Sequence, residues 1–97
     1  MQQLSLERFA MFEGRSCAFR IGSIEVPMEC VKVARARAPE GFECFTVEFR
    51  GPAENVLQQQ MVQLQAGDFQ TDLFVVPIGV FEDGALYEAV INRQVEV

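Results

Sequence analysis

The chain has no histidine and no tryptophan, a single lysine (Lys32) and a single tyrosine (Tyr87). Without an imidazole it lacks the side chain that titrates nearest neutral pH and is the commonest metal ligand. A cysteine nucleophile has no histidine base to activate it, and a histidine-containing zinc site is excluded. The glycine-rich phosphate loops are also missing. Gly51-Pro52 and Pro77-Ile-Gly79 have the spacing of neither nucleotide-binding fingerprint. No apolar run approaches the roughly 18 residues of a membrane-spanning helix. The opening Met1-Gln-Gln-Leu-Ser-Leu-Glu7 has no basic segment followed by an apolar one, so it does not read as a secretory signal. Basic residues are scarce too. Eight face fourteen acidic ones, giving a net charge of −6. Such a balance disfavours nucleic acid and anionic membranes as partners, since both require a basic face.

Three cysteines are present, Cys17, Cys30 and Cys44, with no C-x-x-C spacing. An odd number without a secretory signal points to reduced thiols and a cytoplasmic protein. Buried thiols here behave as small hydrophobes. No metal or cofactor is expected.

What is abundant is apolar. Hydrophobic residues make up 49% of the 97 residues, and nine of them are Phe. Phenylalanine needs no polar partner in a core. The length suits one domain, residues 1–97. The apolar residues alternate, as in Phe45-Thr-Val-Glu-Phe49, which is the period of a strand with one buried face.

Residues 5–12 read as a short helix, with Ser5 as N-cap, a Leu4–Phe9 hydrophobic staple and Gly14 as the stop. Cys17–Ile21 and Ile24–Met28 flank Gly22-Ser23, which suits a type II′ hairpin. In that register Ile21 faces Ile24, Phe19 faces Val26 and Cys17 faces Met28 on the inner side. Arg20 faces Glu25 outside as an opposite-charge pair. Pro27 has no N–H to donate and must point off an edge or sit at an irregularity. The apolar phase slips after Cys30, so a β-bulge is expected near 29–31. Residues 34–41, with Pro39 and Gly41, read as a loop.

A third strand covers 42–50 with Phe45, Val47 and Phe49 inward, and 52–60 is irregular. A fourth covers 60–65 with Val62 and Leu64 inward, and a fifth covers 70–78. A sixth covers 86–92, extended by 94–97. With Asp83-Gly84 as the two central turn residues, Val76 faces Ile91, Ile78 faces Ala89 and Val80 faces Tyr87. Leu73, Val75, Leu86 and Val90 then occupy the opposite face. The fold expected is α+β and mostly β: a short N-terminal helix and a six-stranded antiparallel meander curled into a barrel-like sheet. The core expected includes Phe19, Val26, Phe45, Val47, Phe49, Val76 and Ile91.

Few residues point to chemistry. Glu82 and Asp83 sit at a hairpin tip, where turn formation explains them. Two groups are candidates for contacting a partner. Arg35 and Arg37 form a small basic loop, read either as solvated or as a partner or anion contact. Gln58, Gln60, Gln63 and Gln65 make an uncharged strand. It is either a neutral polar face or, at a sheet edge, a template for strand addition by another chain.

Three segments, Phe49-Arg-Gly-Pro52, Leu73-Phe-Val-Val-Pro-Ile-Gly79 and Tyr87-Glu-Ala-Val-Ile-Asn92, stand beside the opening Leu4-Ser-Leu-Glu-Arg-Phe9 and Gly14. Together they resemble a family of small uncharacterised bacterial proteins associated with phage-tail-collar-like proteins. The resemblance implies no catalytic residues. It implies a backbone bend at Pro77 and Gly79 and an ion pair between Arg50 and Glu88. The glutamines and Arg35/Arg37 lie outside the shared pattern. The function expected is a non-enzymatic protein-interaction or assembly module, accessory to a tail-like structure, whose partner is another protein or a second copy. The alternative is a small-molecule-binding β-barrel with a Phe-lined interior.

Overall fold

The computed structural model describes residues 5–95. A short helix, α1 (Leu6–Ala10), precedes six strands: β1 (Ser16–Ile21), β2 (Ile24–Ala36), β3 (Phe42–Gly51), β4 (Gln60–Ala66), β5 (Phe69–Phe81) and β6 (Gly84–Gln94). All neighbouring strands are antiparallel, and the sheet closes in the order β1-β2-β3-β6-β5-β4. Two three-stranded meanders, β1–β3 and β4–β6, thus meet along β3–β6 and β1–β4. This is the helix plus barrel-like antiparallel sheet that the alternation and short connections imply, drawn out into an elongated ring of 44 × 26 × 22 Å.

Helix α1 is shorter than the expected 5–12. Ser5 caps it, its Oγ accepting the Arg8 N–H at 3.1 Å. Gly14, at φ +83°, turns the chain into β1. Leu4 lies outside the described residues, so the staple is not described. A helix of five residues is unstable alone. Phe9 holds it in place, fully buried against Phe45 (ring centroids 5.6 Å) and Phe69 (5.4 Å) at one end of the ring. The interior is filled by large side chains. Phe19 meets Phe49 edge-on at 4.9 Å and Tyr87 at 6.0 Å. Each buried Phe contributes about 1.5–3 kcal/mol. The Tyr87 hydroxyl accepts the Leu57 N–H at 2.7 Å, which pins the 52–59 crossover over the opposite end.

The first hairpin forms in the expected register, from Ile21↔Ile24 through Phe19↔Val26 to Cys17↔Met28, with Arg20 opposite Glu25. Only Gly22 of the two turn residues has positive φ, +62°, as a type II′ turn requires. Ile24 is exposed rather than inward, because it stands at the rim. The bulge falls where the phase slips: Cys30 faces Phe49 and Lys32 faces Glu48, leaving Val31 extra. The Glu13 carboxylate accepts the Val33 N–H just beyond it, at 2.8 Å. Pro27 lies before Glu29, where the β2–β3 ladder begins, so it interrupts no bond of that ladder.

Four expectations need correction. β2 runs through Ala36, so the loop is 37–41 and Arg35 is a strand residue opposite Phe45. The β5–β6 turn is centred on Glu82-Asp83, not Asp83-Gly84, with Phe81 facing Gly84, Val80 facing Ala85 and Pro77 facing Tyr87. Consequently β5 has the other phase: Leu73 and Val75 are buried, Val76 is only half-buried, and Ile78 and Val80 are exposed. The inward phase of β6 (Ala85, Tyr87, Ala89, Ile91) is as expected. Gly84 serves a different purpose from the one Asp-Gly suggests. At φ +142°, a Cβ there would stand 2.5 Å from the Gly51 carbonyl oxygen. Pro77 and Gly79 do flank a register shift, the bend that the resemblance implies. Arg50 does not pair with Glu88. It bridges Glu29 (3.3 Å) and Asp83 (3.5 Å).

Candidate functional site

Arg35 and Arg37 leave the end of β2 on one wall of an open cleft of about 440 Å³, with Phe42, Glu43 and Cys44 on the facing wall. Glu43 is already engaged. It accepts from Arg93 Nε at 2.8 Å and from the Leu6 N–H at 3.1 Å. The Arg93 hydrogen bond is the main reason its carboxyl is held below the usual carboxylate range. Partial burial opposes that shift, while the Leu6 amide and the charges of Arg93 and Arg35 reinforce it. Glu43 therefore neutralises Arg93 and attracts Arg35 without forming an ion pair with it. The cleft is mildly basic and has the chemistry to hold a carboxylate; the one carboxylate on its facing wall, Glu43, is taken up by Arg93 and the Leu6 amide.

The glutamines lie elsewhere. β4 is hydrogen-bonded to β5 on one side and to β1 on the other. Gln63 faces Asp72 and Arg20, and Gln65 faces Gln70 and Ala18. Strand addition at Gln63 and Gln65 is therefore ruled out, because the ring has already paired that backbone on both sides. Their side chains bond each other, Gln65 Nε2 donating to Gln63 Oε1 at 3.1 Å. Gln60 Nε2 donates to the Gln58 carbonyl at 3.0 Å, in the crossover. The glutamines and the two arginines do not converge, since β1 separates β4 from β2 in the ring.

Two of the thiols, Cys17 and Cys30, are poor nucleophiles. Burial, reinforced by the neighbouring Cys30 and Glu29, pushes Cys17 up to about 12. Burial and Glu13 push Cys30 up to about 11. All three cysteines are free. Asp83 of the hairpin tip is an ion-pair partner of Arg50. Among the described residues no three His, Cys, Asp or Glu side chains converge as a metal site requires. Nor, among them, is any helix long and apolar enough to cross a membrane.

Sequence reasoning missed the outer surface of β4–β6. Met61 faces Phe74 across β4–β5. Met61 (58% exposed), Phe74 (50%), Phe81 (53%) and Val90 (57%) all stand out from the ring, with half-buried Val76 and Leu86 among them. The signal was present in Leu73-Phe-Val-Val76, apolar in both phases. A sheet apolar on both sides has to be covered on both, and α1 plugs the end of the ring rather than lying on this face.

The chain matches, over residues 4–91, the family model described as Domain of unknown function (DUF6916), and it belongs to that family. No curated protein and no solved structure matches it.

Proposed function

We propose that this member of the DUF6916 family is a non-enzymatic protein-interaction module that docks a partner on the outer face of β4–β6. The observation that carries this reading is the cluster of Met61, Phe74, Phe81 and Val90, each about half or more exposed on one surface. Monomeric proteins seldom leave such a cluster uncovered unless it is used. Support also comes from the absence of histidine and from Cys17 and Cys30, which burial holds neutral. Accessory service to a tail-like assembly fits this role. The small-molecule barrel is less well supported, because Phe9, Phe19, Phe45, Phe49, Phe69 and Tyr87 occupy the interior themselves.

The test is co-purification from the native host with wild type and with a Phe74→Ser/Val90→Ser variant. Wild type should retain a stoichiometric protein, and the variant should lose it while melting at an unchanged temperature. A partner held equally by both would move the docking site off this face.

A further inference from the structure

On this same face two carboxylates stand in a place that folding does not explain. Glu48 of β3 and Glu88 of β6 are direct cross-strand partners, both half-buried on the outer surface. Like charges directly opposite each other in a sheet are destabilising. The next residues in the same row are Lys32, opposite Glu48, and Val76, opposite Glu88. Lys32 is exposed and makes no ion pair with either glutamate among the described residues. Two opposed carboxylates therefore border the apolar cluster with one exposed lysine opposite one of them and, among the described residues, no ion pair to either. Elsewhere outer carboxylates sit in ion pairs: Glu29 and Asp83 with Arg50, and Glu43 with Arg93.

We infer that the Glu48–Glu88 pair receives a cationic side chain from a partner whose contact surface is apolar and basic. This inference rests on the outer β4–β6 face being the docking surface. The area supports a partner of that composition. Met61, Phe74, Phe81 and Val90, each about half exposed, leave on the order of 400 Å² uncovered, and the less exposed Val76 and Leu86 add a little more. A stable interface needs about 800 Å² per partner, of which a little over half is non-polar. The cluster supplies that apolar share, and the remainder must be polar rim, which here includes the Glu48–Glu88 pair. Charge also argues against a second copy as occupant. Each chain carries −6, and a two-fold contact would set the same acidic row against itself. An Arg or Lys placed between the two carboxylates would instead turn a repulsion into a pair of charge-assisted hydrogen bonds.

Two synthetic amphipathic helical peptides test this, one of leucine and lysine and one of leucine and glutamate on the same apolar pattern. Their affinities are measured by fluorescence anisotropy against wild type, Glu48→Gln/Glu88→Gln, Phe74→Ser and a control, Glu25→Gln/Glu54→Gln, with the same change in net charge. The lysine peptide should bind wild type at least about tenfold more tightly than the glutamate peptide. That preference should fall to a few-fold in Glu48→Gln/Glu88→Gln, persist in the control, and all binding should drop in Phe74→Ser. If Phe74→Ser abolishes binding but the lysine preference is the same in Glu48→Gln/Glu88→Gln as in the control, the charge inference fails and the docking face stands. If Phe74→Ser binds as wild type does, the docking face itself fails. A wild-type dimer in sedimentation that Phe74→Ser dissociates would make the occupant a second copy and overturn the proposal.

Discussion

β2 and β5 are both 13 residues long, and each changes partner midway. β2 pairs with β1 over Ile24–Glu29 and with β3 from Glu29 onward; β5 pairs with β4 over Phe69–Val75 and with β6 over Val76–Phe81. Each has a bulge, at Val31 and at Ile78, and each turns a corner of the ring. Their outer faces differ. β2 presents Glu25, Glu29, Lys32 and small alanines, whereas β5 presents Phe74, Val76 and Phe81. The same backbone device thus has one surface built for water and one built for contact. A corner strand needs only its inner residues to close the ring, so apolar residues on its outer face serve something other than folding.

The largest effect that separates the two faces is core truncation. Phe49→Ala, which empties the ring contact with Phe19, should cost about 3–5 kcal/mol in denaturant unfolding. Phe74→Ala, on the exposed face of β5, should stay within about 0.5 kcal/mol. Comparable losses would mean that the outer face is part of the folding core.

Next come the two corner hairpins. Gly22 has open space where a Cβ would go, while at Gly84 a Cβ would stand 2.5 Å from the Gly51 carbonyl oxygen. Gly22→Ala should cost about 1 kcal/mol of left-handed backbone strain. Gly84→Ala should cost more than about 2 kcal/mol, since strain and a backbone contact act together. Equal costs would contradict the β5–β6 register.

That register is where the sequence was hardest to read. In β1–β3 the alternation, the Gly22-Ser23 turn and the Arg20–Glu25 pair point to one answer, and the bulge shows as a phase slip after Cys30. In β5, Leu73-Phe-Val-Val76 is apolar in both phases, so alternation cannot choose a face and the turn alone must decide. Asp83-Gly84 satisfies turn chemistry, but Gly84 is glycine because the Gly51 backbone lies against it, and the register moves accordingly. The candidate site suffered from the same ambiguity. The neutral glutamines looked like an open edge only because the β1–β4 closure, a contact between distant residues, leaves no local mark. The outer apolar cluster is hidden when Val76 is assigned to the core and Leu73 and Val75 to the opposite face.

At the rim, acid should uncover the Glu43 contribution. Its carboxyl titrates below the unfolded value of about 4.3. It therefore stabilises the fold above that pH and loses its contribution as pH falls through the lowered folded value. Arg93→Gln removes the main cause. The stability gap between wild type and Arg93→Gln should be full at neutral pH and shrink below about pH 4. A gap that persists in acid would show that Arg93 acts through packing alone.

The smallest effect contrasts the two cross-strand charge pairs. Glu88→Gln relieves its repulsion with Glu48 and should stabilise the free protein by about 0.2–1 kcal/mol. Glu25→Gln loses its attraction to Arg20 and should destabilise by a similar amount. The same sign for both would remove the reason for regarding the Glu48–Glu88 pair as unsatisfied.

The most direct measurement is amide and methyl NMR of the labelled protein titrated with the leucine–lysine peptide. Shifts concentrated at Met61, Phe74, Val76, Glu88 and Val90, with β1 and the outer face of β2 silent, would be the predicted result. Shifts centred on the Arg35–Arg37 cleft or spread evenly over the ring would contradict the assignment of the outer β4–β6 face as the docking surface.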